Sequence, residues 1–230
     1  MEALTAYYDT IFPYMPGYLQ ATLLVLQMTI VITLLSWAIG IVTALGNLLK
    51  NKYLSAPFAF YVWFIRGTPA LIQIFIIYFG LNQLGLRLVA FVAGVIALAV
   101  HSGAYVSEVF RSGFLAIPKG QMESAISIGM SRFLAYRRII LPQVIRIILP
   151  SLTNHAIDDV KNTALLSTIT IMEITMYTQV AVATTFKPFD FYIISAILYL
   201  ILTTLLTVLS GYLEGLQAIA YISAYSKHPS

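Results

Sequence analysis

The sequence predicts an all-α integral membrane protein with five transmembrane helices. Three observations lead there. The chain of 230 residues is 60% hydrophobic and only 10% charged, whereas a soluble domain carries about 25% charged residues. Its apolar runs reach the ~20 residues that a helix needs to cross a bilayer core. Its Lys and Arg residues are concentrated in alternate loops between those runs, the asymmetry that orients membrane proteins.

No charge occurs from Thr10 to Leu49. Pro13, Pro16 and Gly17 break the start of that run, so the first span is expected near 19–46. Further spans are expected near 55–81, interrupted by Arg66, and near 88–110. A fourth segment covers 143–180. It holds Glu173 more than one membrane thickness beyond Arg146, so it must be broken, with a second short helix near the outer face. The fifth span is expected near 191–213. The N-terminus lacks the basic region of a cleavable signal peptide.

One set of loops carries Lys50, Lys52, Arg111, Lys119, Arg132, Arg137, Arg138, Arg146 and Lys227; the other carries only Arg87 and Lys187. The first set is expected on the cytoplasmic side. The N-terminus is then outside and the C-terminus inside, as five spans require.

The absence of cysteine excludes disulfides, thiolate metal sites and a Cys nucleophile. A net charge of +4 spread over loops is no nucleic-acid signal. His101, His155 and His228 fall on different segments, and no His-Glu-x-x-His occurs. A metal site is therefore not expected, and a membrane-embedded enzyme is one alternative reading. A passive channel or scaffold is another.

The longest loop, about 111–145, contains an irregular charged stretch, residues 118–142. Pro118 can open a short helix. Met122, Ala125, Ile126 and Gly129 then share one face. Gly129 suits a left-handed helix end, and Ser131 can cap a second short helix. The pattern is two short helices joined by a sharp turn. One reading is an interfacial loop whose arginines touch lipid headgroups. The other is a docking element for a soluble partner.

The run Glu-Ser-Ala, three residues, Gly, nine residues, Ile-Ile-Leu-Pro resembles the EAA loop of ABC importer permeases. It matches at Glu123, Ala125, Gly129, Ile139, Leu141 and Pro142, and departs at Ser124, a small-for-small change. The stretches RGTPALIQIFIIYFGL (66–81) and GAYVSEVFRSGFLAIPKGQMESA (103–125) resemble the polar amino acid subfamily. The resemblance covers roughly residues 18–215. It implies a type I ABC importer permease with a cytoplasmic coupling helix, in which Glu123, Ser124, Ala125 and Gly129 meet an ABC ATPase dimer. It also implies a second permease chain, identical or related, a binding protein outside, and cargo of the histidine, arginine or glutamine type. The chain has no Gly-x-x-x-x-Gly-Lys-Ser/Thr loop, so ATP and Mg belong to the partner ATPase.

Two polar features are candidate cargo contacts. The first is Arg66-Gly67-Thr68-Pro69. Thr68 is a good cap and Pro69 a good first helical residue. A span starting at Pro57 would place this break about 18 Å deep; a span starting at Thr68 would place it at the cytoplasmic rim. At mid-depth its free N–H groups would suit a carboxylate. The second feature spans residues 154–163. Asp158 lies about 18 Å from Arg146 along a helix. It can pair with Lys161, three residues on, which leaves Asp159 needing its own reason. A zwitterion clamp follows, with Gly67 and Thr68 on the carboxylate, Asp158 or Asp159 on the amine, and Thr163 beside them. His101, with Ser102 and Tyr105, is expected to pack against a neighbouring helix or to face the same cavity. Ala99 and Gly103 read as a helix-packing pair, and Glu108 and Arg111 as an ion pair.

Overall fold

The computed structural model describes residues 10–226; Lys227 and His228, both weighed above, lie outside the described residues. Every regular element among the described residues is helical. Three helical stretches are long and apolar enough to cross a membrane alone: Phe12–Asn47, Ala90–Ala116 and Pro188–Tyr212. Two bent pairs supply up to two more.

Helix α1 (Met15–Asn47) follows a 3-10 turn, Phe12–Tyr14. Pro13, Pro16 and Gly17 do not break it, contrary to expectation. Pro16 lies in the first turn, where its missing N–H has no partner to lose.

Helix α2 (Lys52–Arg66) and helix α3 (Ala70–Phe75, carried through a π turn at Ile76–Gly80 to Gln83) meet at 110°. They are not one straight span over 55–81. Arg66 reaches Glu108, which lies about 27 Å along α4 (Ala90–Ala116) from Ala90 by helical rise. Val62, Trp63, Asn47 and Arg111 line a common cavity with Glu108. The break itself lies nearer His101: Gln73, which bonds Ile65 O and Thr68 O on its other side, meets His101 Nδ1 about 16 Å along α4 from Ala90.

The pairing of α1 with α4 is the most extensive in the fold. It is made by small residues. At Gly40 a Cβ would meet Val106 Cγ1 at 2.6 Å and the Ser107 backbone nitrogen at 3.1 Å. Backbone cannot yield as a side chain can. Gly40→Leu is expected to separate the two helices and cost about 2 kcal/mol, read as a lower melting temperature of the purified protein. An unchanged melt would mean that the helices are not held by this contact.

Helix α5 (Lys119–Ser127) and helix α6 (Arg132–Ala135) form the loop expected over 118–142. A π turn, Tyr136–Ile140, feeds α6 into α7 (Leu141–Asn162), which tightens to a 3-10 turn over Thr163–Ile169. Thr170 is left-handed (φ 64°), and the chain bends 49° into α8 (Ile174–Thr185). Glu173, fully buried, caps α8 by accepting from Thr175 N and Met176 N, both at 2.8 Å, and from Tyr199 Oη at 2.6 Å. Helix α9 (Pro188–Ser226) completes the chain.

Three apolar clusters stack along the bundle. Tyr18, Val25, Val160 and Phe191 form one; Met28, Ile32, Leu98 and Leu166 the next; Val106, Val144 and Ile148 the third. Bulky residues such as Leu34, Val42, Leu200 and Leu205 are exposed, as lipid contact would have them.

Candidate functional site

The break between α2 and α3 frees the last carbonyls of α2. Thr68 was expected to cap α3. Instead Pro69 occupies the cap with extended backbone, and the Thr68 hydroxyl turns back to donate to Phe64 O at 2.9 Å. Gln73, buried, supplies the remaining donors. Its Nε2 lies 2.8 Å from Ile65 O, 3.1 Å from Thr68 O and 2.8 Å from Thr68 Oγ1. Its Oε1 lies 3.1 Å from His101 Nδ1. Nothing in the reading of the sequence singled out Gln73, although it is the one amide in the apolar run 69–81.

From His101 a strip of half-buried polar rings crosses to α7. The His101 and Tyr105 rings are 5.1 Å apart, and Tyr105 and His155 are 6.3 Å apart. The Arg66 guanidinium sits 5.5 Å from the Tyr105 ring centre, a cation–π arrangement. Arg66 also pairs with Glu108 at 3.9 Å, while Arg111 holds Glu108 at 2.8 Å. The expected Glu108–Arg111 pair is thus a triad.

One turn beyond His155 the adjacent acids separate. Asp158 pairs with Lys161 at 2.7 Å, and both side chains are more than half exposed (53% and 57%). Asp159 is 1% exposed. It accepts from Ser102 Oγ and from Thr33 Oγ1, the latter at 3.2 Å. Its partners come from α1 and α4, so it ties three helices together. The expectation that Asp159 lacks a partner is corrected: it is a satisfied buried acid with no open face. Thr163 is likewise fully buried, its hydroxyl donating to Val160 O at 2.7 Å. Gly67 is exposed and Thr68 half-buried beside the break. These contacts link Gly67, Thr68 and Arg66 at the break to His101 and Tyr105 on α4 and His155 on α7, with Asp158 and Lys161 one and two turns further along α7. Asp159 and Thr163 are withdrawn from that line. His155 and Lys161 carried no role as cargo contacts in the sequence reading.

In the cytoplasmic loop Gly129 has φ +84°, a left-handed turn between α5 and α6. Ser131 caps α6 by accepting from Leu134 N at 3.3 Å. Glu123 and Ser124 are exposed, but Ala125 is buried against the chain's own loop. Ala125 therefore offers no side chain to a partner, which corrects its expected place in the contact set. Ile128 and Phe133 stand out instead, 77% and 75% exposed on either side of Gly129.

The family described as "Binding-protein-dependent transport system inner membrane component" matches residues 36–216. This chain belongs to that family. Among its relatives are the putative glutamine transport system permease protein GlnP of Rickettsia bellii, 38% identical over 85% of this chain and 90% of the relative. Another is the octopine transport system permease protein OccM of Rhizobium meliloti, 38% identical over 82% of this chain and 84% of the relative. An amino acid ABC transporter crystallised with histidines superposes with a TM-score of 0.84 at 35% identity, covering 90% of this permease and 97% of that chain. The MetNI methionine transporter shares the fold, with a TM-score of 0.75 at 18% identity. The permease is a membrane-embedded transport subunit of an ABC importer, as the Glu-Ser-Ala…Gly…Leu-Pro run implied.

Proposed function

We propose that the permease carries polar amino acids, basic or amide-bearing, or related compounds such as opines, by alternating access. The observation that carries this reading is the exposed Asp158–Lys161 pair at the end of the polar strip. An exposed ion pair is worth little by itself, ~0–1 kcal/mol, so it opens at small cost. A zwitterion inserted into it replaces one pair by two: its ammonium meets Asp158 and its carboxylate meets Lys161. Gly67 and Thr68 border the same path. The glutamine and octopine names of the relatives point to the same cargo class.

The proposed partners are a cytoplasmic ABC ATPase dimer, a second permease chain, identical or related, and a substrate-binding protein outside. ATP and Mg are held by the ATPase. The short helix α5, with Glu123, Ser124, Gly129 and the exposed Ile128, is the proposed coupling element; Phe133 extends its apolar face. Closure of the ATPases would draw two such helices together and turn the cavity outward. The excess of Lys and Arg in these loops supports a cytoplasmic position for this side and an N-terminus outside.

The test is uptake by the complete complex in proteoliposomes, with arginine, glutamine and octopine as cargo. Asp158→Asn is expected to lower uptake about 10-fold, the loss of one charge-assisted contact, with the complex still assembled. Unchanged uptake of all three cargoes would remove Asp158 from the pathway.

A further inference from the structure

Gln73 has its amide orientation dictated by its surroundings. One end faces Ile65 O and Thr68 O at 2.8 and 3.1 Å. Backbone carbonyls only accept, so that end must be the NH₂ group. The Thr68 hydroxyl beside it already donates to Phe64 O and is free to accept. The opposite end, Oε1, can only accept, and it faces His101 Nδ1 at 3.1 Å. His101 must therefore carry its proton on Nδ1. In a neutral imidazole the other nitrogen is then a bare acceptor.

That second nitrogen, Nε2, has no hydrogen-bond partner among the described residues. It is not closed off either: the buried side-chain nitrogen without a partner among them is Trp37 Nε1, not His101 Nε2. His101 lies at the start of the strip that runs through Tyr105 and His155 towards Asp158. A lone pair is thus presented on the strip some way from the Asp158–Lys161 pair.

We propose that His101 is a specificity-determining residue that accepts a hydrogen bond from a cargo side-chain N–H, and that Gln73 is the positioning residue that holds it in the accepting tautomer. The ligand group is a guanidinium or a carboxamide. This rests on the reading of the cargo as an amino acid. The same Gln73 amide staples the α2–α3 break, so the acceptor is registered to the bend: the break cannot move without disturbing the Nδ1–H contact. Most neutral histidines in water carry the proton on Nε2, and here that nitrogen would offer a donor and repel such a cargo.

The experiment uses the complete permease–ATPase complex in liposomes, with ¹⁵N-labelled histidine. The His101 resonances are assigned by their loss in His101→Phe. The expected spectrum is a protonated Nδ1 with a bare Nε2, and saturating L-arginine moves the Nε2 signal. Gln73→Leu is expected to move the proton to Nε2. In equilibrium binding of labelled L-arginine, His101→Phe, which keeps the ring packing, is expected to weaken affinity about 10- to 100-fold, the value of a hydrogen bond to a charged group. A protonated Nε2 in the unaltered complex overturns the proposal. So does L-arginine and L-glutamine binding that is unaffected by His101→Phe. The tautomer is read without cargo, and should His101→Phe fail to assemble, loss of the same resonances in His101→Asn supplies the assignment. An unaltered complex that binds neither amino acid would instead sink the cargo assignment, and with it the contact given to His101.

Discussion

Gly129→Asp is expected to abolish ATP-driven uptake, by about 100-fold or more, while leaving the permease folded. Gly129 sits at φ +84°, where a residue with a Cβ is strained by about 1–2 kcal/mol. Space is not the obstacle, since an added Cβ would meet nothing within 4 Å. The strain falls on an exposed turn that packs little of the core, so the membrane body should hold. What changes is the surface. A carboxylate would stand between Ile128 and Phe133, the two most exposed apolar side chains of the loop. Docking that apolar pair would then require burying an unpaired charge, which costs several kcal/mol. At ~1.4 kcal/mol per tenfold, a 100-fold loss of association is a modest expectation. Two measurements check it: co-purification of the ATPase and uptake in proteoliposomes. Retained ATPase with normal uptake would mean that this turn does not transmit the stroke.

Asp159→Leu is expected to destabilise the permease by about 4 kcal/mol. The carboxylate receives Ser102 from α4 and Thr33 from α1. Leucine leaves both hydroxyls facing methyl groups, and each unsatisfied buried donor costs roughly 1–3 kcal/mol. Asp159→Asn keeps the volume and an acceptor oxygen, so it should melt within about 1 kcal/mol of the parent. Thermal denaturation of the solubilised complex separates the two variants. The converse result is equally informative. If Asp159→Asn melts normally but loses basic cargo selectively, the acid works in the pathway and the three-helix tie is incidental.

The two acids show how far the sequence carries. Adjacent helical residues point about 100° apart, so one of Asp158 and Asp159 had to face differently from the other. The local pair with Lys161 could be read from spacing alone, because it is made within one turn. The partners of Asp159 could not. Ser102 and Thr33 lie 57 and 126 residues away in the chain, and nothing local says which neighbours a helix face will meet. The break at residues 67–69 shows the same limit. Gly-Thr-Pro announced an interruption through backbone chemistry. Its depth depended on the 110° angle between α2 and α3, and that angle is held by Gln73, whose partners span the bend. Ala125 was placed by motif on the docking side, but packing within the loop turned it inward.

By itself the sequence determined the membrane-spanning helical body, its basic-loop asymmetry, the turn at Gly129 and the kinship to ABC importer permeases. All of these are local: apolar length, charge between spans, one backbone conformation and one spaced motif. Only the tertiary structure decided which polar groups are spent on holding helices together and which are left open. That choice is made by side chains meeting across helices, where desolvation forces every buried polar group to find a partner. Asp159, Thr163 and Gln73 were taken up that way, and Asp158, Lys161 and the far nitrogen of His101 remained available.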